Sequence, residues 1–202
     1  MLANYLSLLL LSSTILGKST PKSRCRCVYG DPCWPTDAEF SSLATQLSQP
    51  LLHPVPPASA CYPSPGPAVG NCSEVLASYG DGNWRSDQPG ATQSTNFEAY
   101  LFQNGTIDAC YLNVTLGIPC KQGSIPPIGV DVRTAEDAQA AVKFANEKNL
   151  RLVVKNTGHD YLGRSTARGA FLIWTHNLKD KVYNAGFVPK GAPSSETFEG
   201  GH

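Results

Sequence analysis

Apolar and polar positions change rhythm several times along this chain of 202 residues. Leu6 to Leu16 (LSLLLLSSTIL) carries no charge. It is too short to span a bilayer as a helix and has the length of a secretory hydrophobic segment. Gly17 and Ser19 follow as small residues suited to cleavage, so residues 1–19 are expected to be a signal peptide. A buried apolar helix is the other reading of this run. Thr36-Asp37-Ala38-Glu39 reads as a capping box, in which hydroxyl and carboxylate satisfy each other's backbone N–H. Phe40, Leu43, Ala44, Leu47 and Leu51 follow at helical spacing until Pro50 and Pro54 end the helix. His53 to Asn71 is proline-rich and predicts extended chain, tacked by Cys61 and Cys72 over a domain. Beyond it the pattern predicts a short helix at Glu74–Tyr79, a turn at Asp81-Gly82-Asn83 and a strand at Cys110–Leu116.

From Ile125 the pattern is more regular. Ile128–Val132 predicts a strand. Thr134 predicts a helix cap, with Glu136 and Asp137 in the first turn. Ala138, Ala141, Val142 and Ala145 mark the apolar face, with Phe144 beside it, and the helix ends near Asn146–Asn149. Leu150–Val154 is a β-branched run that predicts a buried strand, and Ala170–Trp174 predicts another. Strand, helix and strand in this order predict a parallel pair with a right-handed crossover.

Composition narrows the function classes. Lys plus Arg and Asp plus Glu number 16 each, so no basic stripe points to nucleic acid. Hydrophobic residues at 41% and charged residues at 16% are enough to build a core and argue against a disordered chain. No segment after the leader is long and apolar enough for a membrane span. The cysteines stand at 25, 27, 33, 61, 72, 110 and 120, and N-x-[ST] sequons begin at Asn71, Asn104 and Asn113. Together with the leader they predict a secreted, extracellular glycoprotein with a disulfide framework. Short loops favour the pairs Cys110–Cys120 and Cys61–Cys72, and the odd number leaves one thiol over. Cys25-Arg26-Cys27 lacks the second pair that a zinc clip needs, and the histidines at 53, 159, 176 and 202 include no helix-spaced pair. No metal is expected.

The segment Lys155–Ser165 (KNTGHDYLGRS), after the strand at 150–154, is richest in chemistry. Gly158 to Ser165 reads G-x-x-x-x-G-R-S. This is one residue from a phosphate loop, but Arg164 replaces the lysine and a strand follows instead of a helix. His159 and Asp160 are chain neighbours whose side chains diverge, and no G-x-S-x-G elbow accompanies them, so a Ser-His-Asp triad is weak. A glycine-bounded turn with a capping histidine remains open on residue types alone. In every reading the glycines let backbone amides approach an anion closely.

VVKNTGHDYLGRS, the strand after it and WTHNL resemble the first half of a flavin domain. The family is that of vanillyl-alcohol oxidase and p-cresol methylhydroxylase (VAO/PCMH-type). The resemblance is to the secreted fungal FAD-linked oxidoreductases of the berberine-bridge-enzyme-like branch. CRCVYGDPCWP and FANEKNLRLVVKNTGHD add to it, and it covers residues 25 to about 190. It implies an α+β fold: the N-terminal lobe of a PCMH-type FAD-binding domain with a disulfide-tacked, Pro-rich extension. The implied division is residues 1–19 signal peptide, 20–120 extension and 121–202 partial flavin domain. It implies FAD as cofactor, with His159 bonded covalently to the flavin 8α-methyl. Asn156, Thr157, Gly158, Asp160, Gly163 and Ser165 match the cofactor-contacting stretch. The implied activity is oxidation of a C–H bond of a small alcohol, amine or sugar, with molecular oxygen as acceptor. The family's second flavin-linked cysteine and its catalytic base have no matching residue here, so the catalytic residues are unknown. Tyr161 reads as a packing residue of the loop rather than an acid or base. A non-catalytic secreted glycoprotein without flavin is the alternative.

Overall fold

The computed structural model describes residues 25–63 and 70–201. The leader expected at residues 1–19 lies outside the described residues. In chain order the strands are β1 (Leu51–Leu52), β2 (Tyr100–Leu101), β3 (Ile107–Asp108), β4 (Ile128–Asp131), β5 (Leu152–Lys155), β6 (Phe171–Trp174), β7 (Tyr183–Phe187) and β8 (Phe198–Gly201). The helices are α1 (Asp37–Ala44), α2 (Cys72–Ser78), α3 (Gly82–Ser86) and α4 (Ala135–Glu147). The fold is mixed α and β, as expected.

The main sheet has the order β1-β4-β6-β5. β4 and β5 both run parallel to β6, and β1 joins antiparallel. The β-α-β reading is right in direction, but its two strands are not neighbours, because β6 lies between them. All four residues of β6 are buried, whereas β5 alternates between exposed and buried. A strand apolar on both faces belongs in the middle, and one with an exposed face can take the edge.

One core unites the N-terminal and C-terminal halves. Phe40 of α1 meets Phe144 of α4 and Phe171 of β6 with ring centroids 5.4 and 6.2 Å away. Cys27 pairs with Leu150 and is itself buried. The apolar face of α4 differs from the expected one: Phe144 is buried and Val142 is exposed. Both capping boxes, Thr36 with Glu39 and Thr134 with Asp137, are present. α1 stops at Ala44, so Leu47 packs from a turn and Leu51 enters β1.

The disulfides are Cys27–Cys33, Cys61–Cys72 and Cys110–Cys120, and Cys25 is exposed. Two of these are the pairs expected from loop length. The strand expected at Cys110–Leu116 does not form. Asn113 caps a turn of 3-10 helix at Val114–Leu116, Gly117 turns left-handed, and the Cys110–Cys120 bond closes the loop. The turn expected at Asp81-Gly82-Asn83 is instead the start of α3, capped by Asp81. The proline-rich stretch is not extended throughout, since Pro57–Cys61 coils as 3-10 helix.

Asp137 joins the halves at a second place. Its buried carboxylate accepts the Ser48 N–H and hydroxyl at 2.8 and 2.7 Å, and the Arg133 and Thr134 N–H groups at 3.0 Å each. Burial opposes the charge, but the bonds from Ser48, Arg133 and Thr134 outweigh it and hold the pKa at about 2. A folded pKa below the ordinary carboxylate value adds stability above about pH 4. That stability disappears as pH falls towards 2. Between those limits the protein should lose about 2 kcal/mol more stability than its Asp137→Asn variant. Urea midpoints measured at both ends of the range check this, and equal losses would refute it.

Candidate functional site

β4, β6 and β5 end at the same edge, where open parallel sheets receive ligands. The chain leaving β5 forms the loop 156–165 at this edge. β6 holds its root: Thr175 N–H donates to the Lys155 carbonyl at 2.8 Å, and Trp174 Nε1 donates to the Asn156 carbonyl at 3.2 Å. Gly158 and Gly163 adopt φ of +85° and +74°. A Cβ on Gly163 would lie 2.6 Å from the Phe97 ring, so that turn needs glycine twice over.

His159 is exposed, and its Nδ1 lies 3.0 Å from Thr157 Oγ1, a contact that orients the ring. Asp160 points away from His159, as expected for neighbours. It accepts the Arg164 N–H at 2.6 Å and pairs with the guanidinium. Those bonds from Arg164 hold its pKa at about 2. Arg164 therefore neutralises an acid of its own loop. Asn156 is exposed, and Ser165 is half-buried at the loop's far end. Tyr161 does not pack as expected: it is 86% exposed, beside Leu162 at 74%.

The loop rests on a platform that the sequence did not reveal. Gln93 N–H donates to the Gly158 carbonyl at 3.0 Å, and its Nε2 reaches the Thr157 carbonyl at 3.4 Å. Thr92 and Ala91 lie directly under Gly158. Behind them Arg85 and Glu98 form a buried ion pair. Burial pushes the Glu98 carboxyl up, against the pull of Arg85. Lys155 is 2% exposed; its ammonium donates to the carbonyls of Gln88 and Pro89 and lies 5.6 Å from the Trp174 ring centre. Burial lowers its pKa to about 7, against the attraction of Glu98. No standard local pattern announces these roles, because the residue types carry no recognised spacing and Gln93 and Lys155 meet partners more than 60 residues away.

The donor set suits a dinucleotide diphosphate. Among the described residues the amides of Gly158 and His159 donate to no other group. They stand at the sheet's ligand edge, above a buried cation, and an exposed imidazole stands beside them. FAD fits these residues: the loop amides would hold its diphosphate, and His159 would reach the flavin, while Lys155 stays buried beneath the loop on the Gln88 and Pro89 carbonyls.

A parallel sheet edge carrying a glycine-turned loop and an exposed histidine is compatible with an FAD-binding fold, and comparison with known proteins points the same way. Residues 126–186 match the FAD binding domain family. The chain is 40% identical over 190 residues to an uncharacterized FAD-linked oxidoreductase of Arthroderma benhamiae. That match covers 94% of this chain and 32% of the relative. It is 38% identical to the VAO-type flavoprotein oxidase VAO615 of Thermothelomyces thermophilus, covering 90% of this chain and 31% of that protein. The crystal structure of the VAO-type flavoprotein MtVAO615 from Myceliophthora thermophila C1 superposes with a TM-score of 0.69 at 35% identity, over 88% of this chain and 30% of that one. Part of the chain thus matches the FAD binding domain family; the chain is similar to VAO-type flavoproteins and spans about a third of the length of the relatives it matches.

Lys155 yields a test of the buried charge. Its folded pKa lies below the ordinary lysine value, so burial costs stability while the lysine is charged. The cost is full below about pH 7 and shrinks as pH rises towards the unfolded value. The protein should therefore gain stability between pH 7 and 9, and Lys155→Met should remove that gain. Urea unfolding at both pH values decides, and an unchanged slope in the variant would refute the assignment.

Proposed function

We propose that this chain is the cofactor-anchoring part of a secreted FAD-dependent oxidoreductase of the berberine-bridge-enzyme-like branch. It oxidises a C–H bond of a small alcohol, amine or sugar and passes the electrons to molecular oxygen. The observation that carries this reading is His159: exposed, oriented by Thr157, on a glycine-turned loop at the ligand edge of the sheet. Bound FAD supplies the two-electron redox step. The amides of Gly158 and His159 would bind its diphosphate, and the buried Lys155, when protonated, would add positive potential beneath it. Asp160, saturated by Arg164, keeps the loop shaped without adding a free negative charge. His159 is the residue whose ring nitrogen would bond the flavin 8α-methyl, and such a bond would keep the cofactor attached outside the cell.

The full-length gene product should be yellow after denaturation in acid, and His159→Ala should lose that acid-stable flavin. Absorbance of the washed precipitate measures it. Acid-stable flavin in the variant would place the bond elsewhere, and a colourless wild-type protein would favour the non-catalytic glycoprotein.

Secretion rests on the uncharged leader and the sequons. Asn71, Asn104 and Asn113 are all exposed. Asn104 and Asn113 each accept the N–H and the hydroxyl of the threonine two residues on. Among the described residues no helix is long and apolar enough to cross a membrane. In a eukaryotic secretion host the first 17 to 19 residues should be removed and at least one of the three asparagines should carry glycan. Mass before and after deglycosylation reads both. An unshifted protein retaining Met1 in the cell fraction would refute it.

A further inference from the structure

The Thr92 peptide is gripped at both ends by one ion pair. Glu98 accepts its N–H at 2.9 Å, and Arg85 Nε donates to its carbonyl at 2.8 Å. Arg85 also donates to the Tyr79 carbonyl at 3.1 Å and covers the Tyr79 ring, so it cannot swing away. Glu98 is anchored through its own backbone as well, since its carbonyl accepts Ser124 N–H at 2.8 Å. A charge-assisted grip on a buried peptide is stiff, because releasing either charge leaves the other unpaired and desolvated.

Gln93 extends this fixed peptide towards the loop. Its side-chain amide spans three acceptors: the Gly82 carbonyl at 2.8 Å, Ser86 Oγ at 3.0 Å and the Thr157 carbonyl at 3.4 Å. Its N–H takes the Gly158 carbonyl at 3.0 Å. Thr157 in turn meets His159 Nδ1. A continuous series of contacts thus runs from the Arg85–Glu98 pair through Thr92, Gln93 and Thr157 to the imidazole. All its members before Thr157 precede the segment that matches the FAD binding domain.

We infer that Gln93 is a positioning residue: seated on the peptide that Arg85 and Glu98 clamp, it holds Thr157 and Gly158 and so sets the direction in which His159 meets the flavin. This rests on the function proposed above. Gln93 touches neither cofactor nor reacting atoms. It acts by fixing the backbone on which the reacting side chain stands, where small displacements have large effects on rate.

The experiment adds FAD to the flavin-free full-length protein. It records total bound flavin, the rate at which flavin becomes acid-stable, and the melting temperature. For Gln93→Ala, total binding is expected to persist and melting to fall by only about 2–4 °C. The acid-stable fraction should form about tenfold more slowly. Glu98→Gln keeps an acceptor for Thr92 and removes the charge facing Arg85, and it should slow the attachment in the same sense. Attachment at the wild-type rate in Gln93→Ala overturns the inference. Parallel loss of total flavin, attachment and thermal stability also overturns it, since that is what a packing residue would give. Acid-stable flavin retained in His159→Ala instead overturns the parent reading, and this inference with it.

Discussion

Four consecutive residues that must all be buried, Phe171 to Trp174, organise this molecule. A strand apolar on both faces needs a neighbour on each edge and cover on each side. β4 and β5 supply the edges. On one face α4 and the aromatic side chains of Phe40 and Phe144 supply cover, and on the other Leu172 and Trp174 cluster with Val153, Ala167 and Leu52. The loop after β5 is held at its root because Trp174 and Thr175, at the end of that central strand, bond to Lys155 and Asn156. The site is thus a consequence of where the most apolar strand had to go.

Below the loop three charged side chains gather out of water: Arg85, Glu98 and Lys155. Isolated charges at such depth are costly, so each is hydrogen-bonded to backbone: Arg85 to Tyr79 and Thr92, Glu98 to Thr92, Lys155 to Gln88 and Pro89. The arrangement shapes the segment below the loop and leaves positive potential on the side where an anionic cofactor would bind. A purely apolar packing could fill the same space but would not fix the peptides' directions.

The N-terminal and C-terminal parts, separable by composition, are physically interlocked. Cys27 lies against Leu150, Ser48 caps Asp137, and Lys148 pairs with Glu39. Hydrogen bonding to Lys148 and to Thr36 holds the Glu39 pKa at about 2. The loop after β5 is supported by residues drawn from both parts.

Local physics was legible in the sequence. The capping box at Thr36, the cap and helix at Thr134, the strands near 150 and 170, two short disulfide loops and the glycine-bounded loop with His159 could be read because their interactions lie within a few residues of each other. Most of the failures share one cause, which is distance along the chain. Strand order was decided by the burial of β6 on both faces, and Val142 gave way to Phe144 because the aromatic side chains of α1 and β6 face that side of α4. The strand expected at Cys110–Leu116 gave way to a turn set by Asn113, Gly117 and a disulfide. Gln93, Lys155 and the Arg85–Glu98 pair have no signature of their own. Arginine, glutamate and lysine usually signal surface, and only tertiary packing buries them and makes them support the loop. The sequence by itself determined which residues could meet a flavin; the tertiary structure decided what holds them there, because the rigidity of that loop comes from contacts no local pattern can encode.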